Sequence, residues 1–175
     1  MFSTILSLVL LFGHMPAGET QPQCPVPNVS DFSNTWGGAR SGGRRHKGTD
    51  LFADYNSIIV APEAGILEHG TSRLGGIVVR LYANTGRYYY MAHLAGYSAS
   101  RTSGQQVEAG AIIGFVGNSG NARYTRPHLH VETSINGSRH NPYRWLRSCP
   151  SQPPAVVQLV PVVPEPPWGY IQRRS

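Results

Sequence analysis

Short apolar segments with period-two alternation dominate the central part of the chain, and no long segment has helical periodicity. Residues i and i+2 of a strand face the same side of a sheet, so this pattern predicts half-buried β-strands. Ala83-Asn84-Thr85-Gly86 separates two of the segments and suits a hairpin turn, because Asn and Gly tolerate positive φ. The predicted strands occupy residues 57–61, 76–82, 87–93, 111–116 and 128–135. We therefore predict an all-β domain, an antiparallel sheet folded into a sandwich or an open barrel.

Composition divides the chain into four parts. Residues 1–18 contain an apolar run of signal-peptide length, which predicts a secretory signal peptide or an uncleaved N-terminal anchor. No Lys or Arg precedes this run, as one usually does in a signal peptide. Residues 19–30 form a proline-containing leader, residues 31–147 the globular domain, and residues 148–175 a proline-rich tail expected to be extended. We expect a secreted or periplasmic protein, or one of the cell envelope.

The positive net charge limits the kinds of binding partner that we expect. The formal net charge of +6 attracts polyanions, among which anionic lipid and anionic cell-wall polymers both qualify. A plain solvated surface is the alternative reading. The chain has no zinc-finger cysteine pairs, basic helix or aromatic RNA-binding motif, so we expect no nucleic-acid partner. Apart from the N-terminal segment, we expect no stable membrane span.

The two cysteines, Cys24 and Cys149, bracket the predicted domain. In an exported protein this placement suggests a disulfide that joins the two ends of the domain. Closing so long a loop would stabilise the fold by up to about 4–5 kcal/mol in the chain-entropy treatment. Two unpaired thiols are the alternative.

Four of the seven histidines form a pattern together with one aspartate. On a strand, His128 and His130 project to one face while Leu129 points into the core. Glu132 shares their face. His46 and Asp50 add a nitrogen and an oxygen, and Gly48 between them lets the chain bend so that both can turn to one point.

Such a set of donors suits a catalytic zinc ion better than a structural one. Catalytic zinc sites use three protein ligands and keep one position open, whereas structural sites are closed and usually rich in cysteine. Of these elements, the His-x-His pair on a strand is a stronger indication than the His-x-x-x-Asp spacing, and His93 by itself would be read as a structural histidine. Their combination indicates a metal-dependent hydrolase.

The order of several motifs resembles that of the lysostaphin-type zinc endopeptidases. This family includes the β-lytic metalloendopeptidases, and its domain is often called the LytM or peptidoglycan-peptidase domain. The resemblance covers residues 32–147. It rests on Phe32 through Trp36-Gly37, Arg45-His46-Lys47-Gly48-Thr49-Asp50-Leu51, Val60-Ala61-Pro62-Glu63-Ala64-Gly65, Ile77-Val78-Val79, Tyr90-Met91-Ala92-His93-Leu94, the segment 107–120, and Pro127-His128-Leu129-His130-Val131-Glu132.

The resemblance implies a role for each of these residues. His46, Asp50 and His130 would hold one Zn²⁺ ion, and His93 and His128 would form the catalytic pair beside it. The fold would be an antiparallel β structure with the active site in a groove. The implied activity is hydrolysis of cross-bridge or stem peptides in peptidoglycan.

Two other readings stay open. One is a non-catalytic wall-binding or amidase-activating domain on the same fold, against which the retention of all five residues argues. The other is a zinc peptidase that acts on glycine-rich proteins outside the wall.

Residues outside the motifs receive simpler interpretations. His14 lies in the targeting segment, and His69 and His140 are read as surface or structural histidines. Three arginines near His46 would bind an anionic polymer or substrate carboxylates, or be solvated: Arg40, Arg44 and Arg45. One departure from the family pattern is the bulky, charged segment 121–127 before His128, which bears on substrate preference more than on the metal.

Overall fold

A computed structural model describes residues 21–147. In this part of the chain nine strands form one antiparallel sheet, with two 3₁₀ turns at Ser41–Gly43 and Gly120–Ala122 and one short helix, α1 (Tyr143–Leu146). The strands are β1 (Thr49–Phe52), β2 (Ile58–Val60), β3 (Gly65–Ser72), β4 (Gly76–Ala83), β5 (Arg87–Tyr97), β6 (Gln105–Val107), β7 (Ile112–Val116), β8 (His128–Ile135) and β9 (Ser138–His140).

The sheet is built around β5. Neighbouring strands follow the order β1-β8-β5-β4-β3-β6, and β7 pairs with the second half of β5 and with β2. One edge of β8 pairs with β5, while β1 and β9 share its other edge. The predicted antiparallel all-β architecture is confirmed, and these strands join in one connected open sheet rather than in two separate sheets.

Alternation along the strands decides which side chains enter the core. Leu129 and Val131 of β8 are fully buried in the apolar cluster, together with Tyr89 and Met91 of β5. His128 and His130 project to the opposite face of β8, as period-two alternation requires. The buried side chains of β8 therefore hold the strand against the core, and the opposite face of β8 presents polar side chains.

A buried polar cluster ties the start of β3 to β5. The carboxylate of Glu63, a residue only 6% exposed, accepts hydrogen bonds from Arg87 Nη1 at 2.7 Å and from the Tyr89 hydroxyl at 2.8 Å. Burial and the neighbouring carboxylate raise the pKa of Tyr89 far above its usual value, so the phenol stays protonated and remains a donor. The cluster satisfies its own buried polar groups.

The described part of the predicted leader packs on the domain. Val26 is 1% exposed and lies in the core cluster, and the Val60 amide donates to the Pro25 carbonyl at 2.9 Å. Residues 23–30 therefore belong with the domain in space, although the sequence places its start at residue 31. In residues 21–147 no helix is long and apolar enough to cross a bilayer.

Several sequence predictions fall beyond this range. The predicted targeting segment 1–18 and the predicted tail 148–175 lie outside the described residues. Cys24 lies within the described residues but Cys149 does not, so their disulfide stays a prediction.

Candidate metal centre and active-site groove

Three predicted ligands meet at one point. Asp50 of β1 and His130 of β8 are directly opposed in the strand register, and opposed residues of an antiparallel pair project to the same face. Their Oδ1 and Nδ1 atoms lie 2.8 Å apart. His46, just before β1, brings its Nε2 atom to 3.1 Å from Asp50 Oδ1 and 3.0 Å from His130 Nδ1. One oxygen and two nitrogens thus form a compact triangle.

The triangle has the size and chemistry that a zinc ion needs. Bonds of about 2.0–2.1 Å in a tetrahedral site place ligand atoms about 3.3 Å apart. The three observed separations, 2.8, 3.0 and 3.1 Å, are a few tenths of an ångström shorter. A small outward movement would therefore admit one ion with a fourth position open. Two imidazoles and one carboxylate are common donors to catalytic zinc.

Further hydrogen bonds orient both imidazoles. Nδ1 of His46 lies 2.8 Å from Thr35 Oγ1 and 3.2 Å from the Thr35 carbonyl, which can only accept. A proton on Nδ1 would satisfy this carbonyl and leave the Nε2 lone pair for a metal ion. Nε2 of His130 donates to Glu132 Oε1 at 3.3 Å, which leaves Nδ1 as the ligand atom. Such partners fix the tautomer and ring orientation of metal-binding histidines.

Electrostatics in this cluster favour an ionised carboxylate. Burial alone would raise the pKa of Asp50, but hydrogen bonds with His130 and His46 outweigh it and lower that pKa far below its usual value. Burial disfavours the charged form of His130, yet its hydrogen bonds with Asp50 and Glu132 raise its pKa overall. The buried anion thus draws positive charge toward the triangle.

Arg40 contacts the other oxygen of the aspartate. Its Nη2 atom donates to Asp50 Oδ2 at 2.7 Å, while Oδ1 faces the two histidines. The sequence groups Arg40 with arginines that bind an anionic polymer or substrate carboxylates, or are solvated. Nothing in the local sequence indicated its actual partner, which lies ten residues further along the chain.

Gly48 permits the close approach of β1 to β8. A Cβ atom at this position would overlap the Val131 carbonyl and come within 2.7 Å of His130 Cε1. The absence of a side chain, rather than a special bend, is therefore what lets His46 and Asp50 reach His130.

His93 and His128 lie next to the triangle, and each bonds a backbone carbonyl through Nδ1. Nδ1 of His93 donates to the Ser119 carbonyl at 2.9 Å, and Nδ1 of His128 donates to the Arg126 carbonyl at 2.8 Å. Their ring centroids are 5.0 Å apart, and both residues line the groove. A ring that donates through Nδ1 and is neutral keeps Nε2 as its proton acceptor. Burial lowers the pKa of His93 to about 4, so this ring is neutral at physiological pH.

A backbone irregularity carries His93 into the site. This residue has φ of 68°, in the left-handed region, where the register of β5 shifts against its neighbouring strands. Ser119 holds the irregular segment: its Oγ accepts from the Ile77 amide at 2.9 Å and donates to the Leu94 carbonyl at 2.7 Å. Sequence reasoning assigned Ser119 no role, although it lies in the Gly117-Asn118-Ser119-Gly120 segment that carried part of the resemblance.

The unusual segment before β8 is attached to the N-terminal part of the domain. Arg126 pairs with Asp31 at 2.6 Å, donates to Ser30 Oγ at 2.6 Å, and places its guanidinium carbon 4.9 Å from the centre of the Phe52 ring. The same residue supplies the carbonyl that orients His128. Its side chain therefore helps to position a site histidine.

These side chains open into a groove of about 780 Å³. Its lining includes all five predicted site residues, whereas His69 stacks on Tyr97 with 3.9 Å between ring centroids and His140 is an exposed residue of β9. The structure thus brings together His46, Asp50, His93, His128 and His130.

Comparison with known proteins identifies a family and several similar proteins. The sequence profile of peptidase family M23 matches residues 44–142. The L-Ala–D-Glu endopeptidase of Bacillus subtilis is 35% identical over 158 residues, which cover 83% of this chain and 48% of that protein. The chain therefore spans about half the length of this relative.

Solved structures show the same fold. The catalytic domain of lysostaphin from Staphylococcus simulans has a TM-score of 0.61 at 29% identity, covering 70% of this chain and 95% of that chain. A variant of the catalytic domain of the prophage-encoded M23 protein EnpA from Enterococcus faecalis has a TM-score of 0.53 at 30% identity, covering 65% and 90%. The predicted resemblance and fold are confirmed. The chain belongs to peptidase family M23.

Proposed function

We propose that this protein is a zinc-dependent endopeptidase that hydrolyses peptide bonds in the cross-bridges or stem peptides of bacterial peptidoglycan. One observation carries the proposal: the donor triangle of His46, Asp50 and His130 lies beside two histidines whose Nε2 atoms are free to exchange protons. Two relatives named as an L-Ala–D-Glu endopeptidase and a peptidoglycan DD-endopeptidase support the same class of substrate.

The side chains would divide the chemistry between them. A zinc ion held by His46, Asp50 and His130 would make a bound water molecule more acidic and would polarise the scissile carbonyl. His93 and His128, both held through Nδ1, would take up the proton of the attacking water and return one to the leaving amine. A protonated imidazole beside the reacting carbonyl would also stabilise its developing negative charge.

The cellular setting follows from this substrate. Peptidoglycan lies outside the cytoplasmic membrane, so the enzyme would act as a secreted, periplasmic or envelope protein. The predicted signal peptide and the predicted Cys24–Cys149 disulfide are consistent with an oxidising compartment. Anionic wall polymers are additional candidate partners of the basic chain.

Digestion of purified peptidoglycan by the full chain tests the proposal. We expect soluble muropeptides whose masses show peptide-bond cleavage, loss of release after treatment with a chelator, and recovery when zinc is added back. Metal analysis should find one zinc per chain, and His46→Ala, Asp50→Ala and His130→Ala should each reduce it. A folded, zinc-loaded protein that releases no fragments would contradict the proposal.

The same assay separates the alternative function. A non-catalytic wall-binding or amidase-activating domain would bind peptidoglycan with or without metal and release nothing by itself. Cleavage of a glycine-rich protein combined with inactivity on muropeptides would instead indicate a peptidase for substrates outside the wall.

A further inference from the structure

The charge of the groove is strongly asymmetric. Five cationic side chains line it, against only two carboxylates, an excess of three positive charges. Both carboxylates are already engaged: Asp50 by the two histidines and Arg40, and Glu132 by His130 and Arg139. The other three cations are Arg44, Arg45 and Lys47.

These three cations take part in no ion pair of the described part of the chain. In residues 21–147 no carboxylate lies within ion-pair distance of Arg44, Arg45 or Lys47, and all three are exposed. Every other charged side chain of the groove belongs to an ion pair. The positive charge of this trio is therefore available to a ligand.

Hydrogen bonds within the protein hold two of the guanidinium groups in place. Arg44 donates from Nε to the Ser41 carbonyl and from Nη2 to Ser41 Oγ, both at 3.0 Å. Arg45 donates from Nη1 to the Gly37 carbonyl at 3.1 Å. Each arginine keeps further N–H donors for an external acceptor, and less side-chain entropy would be lost when such an acceptor binds.

The cations are confined to one side of the metal centre. The segment that carries them leads into β1, and Arg139 lies on β9, which shares the same edge of β8. On the β4 side the groove is lined by uncharged residues: Leu74, Gly75, Asn121, Ala122 and Thr125. A peptide in the groove would thus meet cations on one side of its scissile bond and a neutral surface on the other.

We propose that the groove selects peptides with a free carboxylate on a residue next to the scissile bond, and that Arg44, Arg45 and Lys47 bind this carboxylate. This inference rests on the proposed endopeptidase function and specifies its substrate class. An acidic stem peptide meets the requirement, whereas a glycine bridge has no side-chain carboxylate to offer. Guanidinium groups bind carboxylates through paired, charge-assisted hydrogen bonds.

A matched pair of peptides tests the proposal. Both contain an Ala–D-Glu bond, and one carboxyl of the glutamyl residue forms the peptide bond to the next residue. The other carboxyl is free in the first peptide and is a carboxamide in the second. Pentaglycine with a blocked N-terminus and a C-terminal carboxamide serves as the neutral peptide. We expect the kcat/KM of the zinc-loaded full chain to be at least about tenfold higher on the free-carboxylate peptide than on the carboxamide peptide. A factor of this size corresponds to the free energy of one charge-assisted hydrogen bond. We also expect the difference to lie mainly in KM.

Charge-neutralising variants identify the residues responsible. In the Arg44→Gln/Lys47→Gln double variant the ratio of kcat/KM between the two peptides should fall toward one, with an unchanged zinc content. Arg144→Gln is the matched control, because Arg144 is an exposed arginine outside the groove. Equal turnover of both peptides by the wild type, or preference for pentaglycine, would overturn the proposal. So would a preference that survives when Arg45→Gln is added to the double variant, because the carboxylate would then be bound by groups outside this trio.

A binding measurement distinguishes failure of this inference from failure of the proposed function. The chelator-treated chain and its double variant are titrated with fluorescently labelled forms of the two peptides. If no peptide is cleaved but the free carboxylate still binds about tenfold more tightly in an Arg44- and Lys47-dependent way, the endopeptidase proposal fails and the carboxylate site stands. Equal binding of both peptides overturns the site. Equal binding combined with Arg44- and Lys47-dependent retention on a polyphosphate polymer would assign the cations to an anionic wall polymer instead.

Discussion

Arg40 Nη2 lies 2.7 Å from Asp50 Oδ2, so the two oxygens of this carboxylate face different partners. Oδ1 is left for His46 and His130. The ion pair fixes the rotation of the carboxylate and presents a single oxygen to the metal centre. Arg40 is thus a positioning residue that acts through Asp50, although its own side chain is 40% exposed.

Replacing Arg40 should weaken metal binding. In Arg40→Gln the carboxylate of Asp50 can rotate and lose its preferred orientation, and we expect the zinc dissociation constant to rise about tenfold or more, as for other partners of metal ligands. Competition with a chromophoric chelator measures this constant directly. Arg144→Gln is the control. An unchanged zinc affinity in Arg40→Gln would show that the ion pair is only a surface contact.

The two groove histidines should be required for turnover but not for the metal. We expect His93→Ala and His128→Ala each to lower kcat about 10²–10⁴-fold, the range of general acid–base catalysis. Zinc content should stay at the wild-type level, because neither ring belongs to the donor triangle. His140→Ala, an exposed histidine of β9, is the control. Near-normal turnover of His93→Ala would remove His93 from the catalytic pair.

Ser119 should influence catalysis through the position of His93. Ser119→Ala removes the hydroxyl that bonds both the Ile77 amide and the Leu94 carbonyl, and so loosens the carbonyl that accepts from His93. We expect a lower kcat with unchanged zinc content, and a changed NMR signal of the His93 Nδ1 proton. The unpaired Ile77 amide should cost about 1–3 kcal/mol of unfolding free energy. A purely structural role would reduce stability and leave the His93 signal where it was.

The buried Glu63 cluster should matter for stability alone. Tyr89→Phe removes the hydroxyl that donates to Glu63 Oε2 at 2.8 Å, and we expect a loss of about 1–3 kcal/mol in the free energy of unfolding. Urea denaturation measures it. Tyr124→Phe is the control, because Tyr124 is 89% exposed and such surface changes stay within about 0.5 kcal/mol. Equal stability of the two variants would show that the buried hydrogen bond contributes nothing net.

The predicted disulfide has a direct chemical test. Titration of the denatured, non-reduced protein should find no free thiols, and reduction should lower the thermal stability of the domain, since the cross-link restricts the unfolded chain. Detection of two thiols before reduction would refute the Cys24–Cys149 pairing.

The sequence by itself determined what depends on local periodicity. Alternation in His128-Leu129-His130 was enough to predict a strand with both imidazoles on one face and Leu129 in the core, because side-chain direction along a strand repeats every second residue. The resemblance carried by the order of the motifs predicted five site residues, and the groove brings all of them together.

Only the tertiary structure decided how distant segments meet. The pairing of Asp50 with His130 depends on the register of β1 against β8. His93 enters the site at an irregularity of β5, where this residue has a positive φ that a glycine in the sequence would have indicated but a histidine does not. The contacts of Arg40, Ser119 and Val26 likewise join parts of the chain that local pattern cannot relate. Register and side-chain partners are set by packing across the whole domain, whereas periodicity is a property of a few consecutive residues.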